Sequence, residues 1–169
     1  MKKIVMALII TLVLSLGFAP IITKAGAENM NFKLVSMIDK LERVKVTLID
    51  GVTVGVVDRR GLAIFENGDV ATMSCRGTFD TKKGFQGYSS LAFDDGSTLV
   101  LSWKGPTSML PPGGKYRGYS MKVEYAKGTG RFEGIKGSGT FTAKIPQWNK
   151  EYKAMDFGYY KFSGTYTLP

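Results

Sequence analysis

The sequence predicts an all-β chain folded as a single eight-stranded antiparallel barrel, and three observations carry that prediction. Turn dipeptides recur at short intervals: Asp50-Gly51, Asn67-Gly68, Asp95-Gly96 and Gly113-Gly114. Between them run segments of period two. Tyr119, Met121, Val123 and Tyr125 share one face, while Ser120, Lys122 and Glu124 share the other. Finally, no linker, charge block or low-complexity tract divides the chain, and there is no room for the crossover helices that parallel strands need. Short antiparallel strands with regular turns leave a barrel or a sandwich, and closure is favoured because it removes the sheet edges along which chains aggregate.

The elements follow in order. Residues 1–27 read as a signal peptide: Lys2 and Lys3 precede an apolar run over residues 4–18, and Ala25-Gly26-Ala27 has the small-x-small pattern of a cleavage site. The rival reading is a spanning anchor, since residues 4–22 approach the ~20 residues a membrane helix needs. Pro20, Lys24 and the cleavage pattern favour removal, which places the protein in the periplasm or outside the cell with no stable membrane insertion after cleavage. Residues 28–169 then form one domain. Within it, Phe32, Val35 and Met37-Ile38 with Leu34 and Leu41 fit helical spacing, so residues 32–42 read either as a short N-terminal amphipathic helix or as a first strand. Strands are expected near 44–50, 52–58, 61–66, 69–80, 84–94, 97–104, 117–127, 137–145 and 156–167, with two of these merging. Residues 97–103 are apolar enough to be covered on both sides. Phe141, Ala143 and Ile145 alternate with Thr140, Thr142 and Lys144, and Tyr160, Phe162, Gly164 and Tyr166 with Lys161, Ser163 and Thr165.

Composition excludes several chemistries. The 169 residues contain no histidine and one cysteine, Cys75, which removes histidine triads, His or Cys zinc sites and intrachain disulfides. No metal site and no cofactor is expected. Taking Lys2, Lys3 and Lys24 from the 23 basic residues leaves 20 against 14 acids, a net +6 for the mature chain. Lys82-Lys83 and Arg59-Arg60 are the densest basic pairs and read as turn residues. With no basic helix or stacking motif beside them, nucleic acid is not an expected partner, and weak attraction to cell wall or anionic lipid is the milder version of the same idea.

Candidate site residues fall into three groups. Cys75 keeps register with Ala71, Met73 and Phe79, which turns it toward an apolar interior, where it serves as a small hydrophobe or lines a ligand. Glu66, Asp80 and Arg76 are the candidate charged groups of a cavity, where an enclosed carboxylate would act as acid or base. Each also reads as a strand-end or surface residue. Tyr88, Tyr119 and Tyr125, with Tyr160 and Tyr166, are candidates to line a mouth for an aromatic or lipid-like molecule, and serve equally as core and rim aromatics.

Residues 128–139 hold five glycines in twelve positions, Gly128, Gly130, Gly134, Gly137 and Gly139, with Phe132 and Glu133 between them. A phosphate cradle would need a strand before and a helix after, and here strands flank both sides. The corner therefore reads as architecture, with Phe132 plugging one end of the core and Glu133 holding the turn.

Gly128-x-Gly130-x-Phe132-x-Gly134-x-x-Gly137, entered from one aromatic strand and leaving into another, resembles the corner motif of allene oxide cyclases and dirigent proteins. Residues 88–97, followed by Trp103-Lys104-Gly105-Pro106, look like the preceding hairpin of that barrel family, and Gly68-Asp69-Val70 resembles the start of an earlier strand. The resemblance covers about residues 44–167. It implies an eight-stranded antiparallel barrel with an apolar cavity, commonly assembled as trimers. It does not carry over the catalytic residues. Asp50 or Asp58 falls where the plant cyclases' glutamate strand runs, Leu62-Ala63 near their proline, and Cys75 near their asparagine, and none is the same residue.

Three readings of function follow: an exported barrel that binds a small apolar or aromatic molecule, a cofactor-free cyclase or isomerase of the allene oxide cyclase or dirigent type, and an oligomeric interaction protein, a homotrimer by the resemblance. An acid–base enzyme further predicts a buried carboxylate facing a cavity.

Overall fold

The computed structural model describes residues 26–106, 116–146 and 157–169. Residues 1–25, on which most of the signal-peptide expectation rests, and Gly113-Gly114 lie outside them. Eight strands carry the described chain: β1 (Glu28–Lys45), β2 (Thr53–Phe65), β3 (Val70–Asp80), β4 (Gly84–Phe93), β5 (Thr98–Gly105), β6 (Tyr116–Thr129), β7 (Lys136–Pro146) and β8 (Gly158–Thr167). Each pairs antiparallel with its sequence neighbour, and β1 pairs with β8 to close the barrel in the order β1 to β8. The expected eight-stranded antiparallel barrel is the fold observed.

The turn dipeptides do the work their chemistry suits them for. Gly51, Gly68 and Gly96 have φ of 72°, 91° and 80°, and each sits in the connection between two strands. At the second of these, Gly68 N–H donates to the Phe65 carbonyl at 3.1 Å and Phe65 N–H to the Asp69 carbonyl at 2.9 Å, closing the β2–β3 hairpin.

Three expectations are corrected. Residues 32–42 are not a helix but the middle of β1. Met30, Phe32, Leu34 and Ser36 are buried while Lys33, Val35 and Met37 are exposed, the alternation of a strand. Val35 and Met37 are apolar residues of the outer face, and the rest of the apparent helical spacing comes from a β-bulge between Ile38 and Lys40. The extra residue lets both Ile38 and Leu41 face inward, a step of three that imitates a helical period. Residues 44–50 are not the first strand: β1 ends at Lys45 and 46–52 are its connection to β2. The runs at 52–58 and 61–66 merge into β2, so Arg59-Arg60 lies in mid-strand rather than at a turn.

The two ends of the barrel differ. At the end marked by the β2–β3 and β4–β5 turns, aromatic rings fill the interior. Phe32 stacks on Phe162 at 4.6 Å and meets Phe65 at 4.7 Å; Phe65 meets Phe93 at 5.2 Å, and Phe93 meets Phe132 at 5.0 Å. Burial of rings this size is the largest single source of stabilisation in a small core. Phe132 reaches the plug from a 3₁₀ turn, Gly130–Phe132, inside the glycine corner, and Gly134 follows at φ 74°. Glu133 contributes its backbone, donating to the Gly130 carbonyl at 3.0 Å, while its side chain is exposed. Arg131 spans the same end: its guanidinium lies over Phe93 and Phe132 and pairs with Asp69 and Asp95, tying the corner to both neighbouring turns. The other end has no such plug among the described residues.

Candidate functional site

Above the aromatic plug the interior is hollow. A cavity of about 430 Å³ runs from the level of Leu34, Met73, Met121 and Phe141 to the strand ends at Arg43, Thr53, Asp80 and Gly84. Alternation builds it: every second residue of each strand faces in, so β1, β2, β3, β4, β5, β6, β7 and β8 all contribute to its wall. Ile38, Leu41, Val57, Phe79 and Phe85 make the upper wall apolar.

A polar cluster sits deeper, where β1, β2, β3 and β4 lie side by side. Arg59 is paired across the sheet with Ile38 and Cys75, and its Nε donates to Ser36 Oγ at 3.0 Å. Its guanidinium also lies over the Tyr160 ring, 5.9 Å from the centroid. The Tyr160 and Tyr119 hydroxyls are 3.5 Å apart, and Trp103 Nε1 donates to Ser89 Oγ at 3.0 Å. Burial pushes the Cys75 thiol up, against the smaller opposing pulls of Ser89 and the Arg59 charge. Burial likewise holds the Tyr119 phenol far above the ordinary range, so both groups stay neutral. Among the described residues the cavity is thus an apolar chamber whose charges are Arg59 at depth and Arg43 and Asp80 at the rim.

The structure sorts the sequence candidates. Cys75 and Tyr119 line the cavity, and Asp80 stands at its rim, where Oδ1 accepts the Lys82 and Lys83 N–H groups at 2.7 and 3.1 Å. Arg76, Glu66, Tyr88 and Tyr125 lie elsewhere, as does Tyr166, which packs beside Tyr125. Arg76 is one residue out of phase with Cys75, so it projects from the outer face and grips Asp58 with two bonds of 2.7 and 2.8 Å. That grip holds the Asp58 carboxyl below its ordinary range. Glu66 is exposed in the β2–β3 turn at the plugged end, accepting from Asn31 Nδ2 at 3.1 Å. Tyr88, opposite Arg76, is 61% exposed on the outer face. Tyr125 faces in but at the plugged end, against Phe162 and Tyr166. Of the positions suggested by resemblance, Asp50 is exposed in a turn, Asp58 faces out and Leu62 is exposed.

Among the described residues no carboxylate is buried; the buried polar side chains are Ser36, Ser89 and Ser97. Arg59, Ser36, Ser89 and Trp103 are cavity residues that the sequence reading did not select as ligand contacts, whereas Tyr160, which it did select, lines the chamber. The signal for Arg59 was the unbroken alternation of 53–65: with Ala63 facing in, Arg59 must face in as well.

Fold and site together define an antiparallel barrel with an aromatic plug at one end and, among the described residues, a chamber above it. No protein-family model matches the chain, and no curated protein matches it in sequence. Among solved structures it is similar to that of a pterocarpan synthase dirigent protein, at 15% identity over 90% of this chain and 97% of that one, with a TM-score of 0.47.

Proposed function

We propose that the chain is an exported binding protein that holds one small apolar or aromatic molecule inside its barrel. The observation that carries this reading is the chamber itself. Its volume of about 430 Å³ lies within the ~300–1,000 Å³ usual for small-molecule sites, and its wall is apolar with a few convergent polar groups. Export is supported by the position of β1, which begins at Glu28, directly after the expected cleavage site at Ala27. The lone thiol, inside the barrel and held neutral by burial, suits an oxidising compartment.

The test is native mass spectrometry and fluorescence displacement on the chain from Glu28, with fatty acids and phenolics as probes. One equivalent of a probe should bind, and Cys75→Phe, which fills the chamber, should abolish binding while the far-ultraviolet circular dichroism is kept. Failure of every probe to bind the parent, or equal binding by the filled variant, overturns the reading.

A second reading, a cofactor-free cyclase or isomerase, draws on Tyr119, Tyr160 and Arg59 facing one chamber. With Glu66 and Arg76 outside it, such an enzyme would act by holding one conformer of a reactive substrate rather than through the acid–base set first considered. Product turnover rather than retention of the molecule distinguishes it.

Self-association, as a homotrimer in particular, draws on a different feature. On the outer face Tyr159, Val35 and Leu62 are cross-strand neighbours, and Ile64 and Val70 lie beside them. Val35, Leu62, Ile64 and Val70 are all 46–49% exposed, and light scattering reads the assembly directly.

A further inference from the structure

The β1–β2 connection stands at the end of the barrel opposite the aromatic plug and has the sequence Val46-Thr47-Leu48-Ile49-Asp50-Gly51-Val52. It is a hydrogen-bonded turn: Val46 N–H donates to the Val52 carbonyl at 3.0 Å, Ile49 N–H to Val46 at 3.2 Å and Val52 N–H to Ile49 at 3.3 Å. This frame holds Leu48 94% exposed, with Val44 at 63% and Ile49 at 51% beside it. Turn apices ordinarily carry Gly, Asn, Asp or Ser. A leucine there contributes nothing to the core, because almost none of its surface is removed from water.

The apex is tied to a basic neighbour. Thr81, in the β3–β4 turn, donates from Oγ1 to the Gly51 carbonyl at 3.0 Å and accepts from Thr53 N–H at 2.9 Å. The two residues after it are Lys82 and Lys83, both exposed. Arg43 and Lys45, also exposed, flank the apex on β1. The acids nearby are largely engaged: Glu42 pairs with Lys40 at 2.6 Å, and Asp80 accepts the backbone N–H groups of Lys82 and Lys83. Asp50 is the remaining acid of the connection. The result is a convex apolar tip ringed by four cations, beside the mouth of the chamber.

We propose that this end of the barrel docks peripherally on an anionic lipid bilayer. Leu48 and Ile49 enter the headgroup region, and Arg43, Lys45, Lys82 and Lys83 meet lipid phosphates. A bilayer supplies what the tip presents: apolar depth for a projecting leucine and, at the same level, a plane of negative charge for flexible lysine stems. The contact lies on the membrane and does not span it. It also turns the chamber mouth toward the lipid, though the docking stands whether or not the chamber is ever filled.

Flotation of the chain from Glu28, which contains all eight strands, with phosphatidylcholine vesicles and with phosphatidylcholine–phosphatidylglycerol vesicles tests this. The parent should float with the anionic vesicles, less at high salt, and hardly with the neutral ones. Leu48→Asp/Ile49→Asp should remove binding, and Lys82→Glu/Lys83→Glu should lower it on the order of tenfold. Tyr88→Asp, at an exposed aromatic residue on the outer side of the barrel, should bind as the parent does. In Leu48→Trp, brominated lipid should quench the new indole. Flotation that ignores the Leu48 and Ile49 changes, equal loss in Tyr88→Asp, or no flotation of the parent with anionic vesicles overturns the proposal, the last result leaving a protein as what the tip meets.

Discussion

The indole of Trp103 occupies the space that a side chain on Gly77 would need. A Cβ built on Gly77 collides with Cη2 of the ring, and Gly87, paired with Gly77 across β3 and β4, meets the same ring from the neighbouring strand. The ring is fixed in that place by the bond from Nε1 to Ser89 Oγ at 3.0 Å. Two glycines therefore make room for one tryptophan, and the tryptophan forms part of the chamber wall.

Gly77→Ala should accordingly lower stability by about 1–3 kcal/mol, the usual cost of an overpacked interior. It should also reshape the chamber, since the indole is what moves. Denaturant unfolding followed by tryptophan fluorescence reads both effects. An alanine accepted without loss of stability or change in emission would show that the ring has space to spare.

Phe132→Ala should cost about 3–5 kcal/mol as a deletion from the aromatic plug. Gly134→Val should also destabilise, by about 1–3 kcal/mol for a residue held in a disfavoured backbone region, because Gly134 has φ 74° and its Cβ would strike the Pro169 ring. Thermal unfolding checks both, and loss of stability and of ligand binding should run together. A stable variant that binds nothing would make the glycine corner a site instead of a scaffold.

Tyr125→Phe should leave stability unchanged or raise it by up to about 1 kcal/mol, because removing an unsatisfied buried hydroxyl removes a desolvation penalty. The Tyr125 hydroxyl is buried with no hydrogen-bond partner among the described residues. Burial also holds its phenol above the ordinary range. Chemical denaturation of the two proteins is sufficient, and a clear loss in the phenylalanine variant would reveal a partner.

Cys75 should alkylate slowly at pH 8. A pKa raised by burial keeps the thiol protonated at pH values where free cysteine, at about 8.5, is partly thiolate. The rate should therefore climb only at higher pH than for a free thiol. Because Cys75 faces the chamber, a bound molecule should slow it further. Iodoacetamide labelling followed by mass spectrometry across pH gives the profile, and a rate at pH 8 matching free cysteine would contradict it.

The parts legible in the sequence were those governed by local chemistry. Asp50-Gly51, Asn67-Gly68 and Asp95-Gly96 mark connections because glycine takes the positive φ they need, and Tyr119 through Tyr125 is a strand because alternation leaves no other reading. The illegible parts came from events with a one-residue effect. The bulge after Ile38 inserts a residue in β1 and turns a strand pattern into a helical one. A phase difference of one residue sends Cys75 into the chamber and Arg76, like Tyr88, out of it. The ends of the barrel were harder still: Tyr125 and Tyr119 share a face, and only the packing of Phe32, Phe65, Phe93 and Phe162 makes the first part of a plug and the second part of a cavity.

The seam between β1 and β8 sets the order in which the chain can become a barrel. Tyr166 Oη donates to Glu28 Oε2 at 2.6 Å across 138 residues of sequence, and the ladder runs from there to Ser36 and Gly158. Every other strand pairs with its immediate neighbour and can zip as the chain lengthens. During amino-to-carboxyl synthesis β1 can satisfy one edge with β2, while its other edge waits for β8. Pairing β1 with β8 closes the largest loop in the barrel, which makes that step slow by the general relation between sequence separation and folding rate.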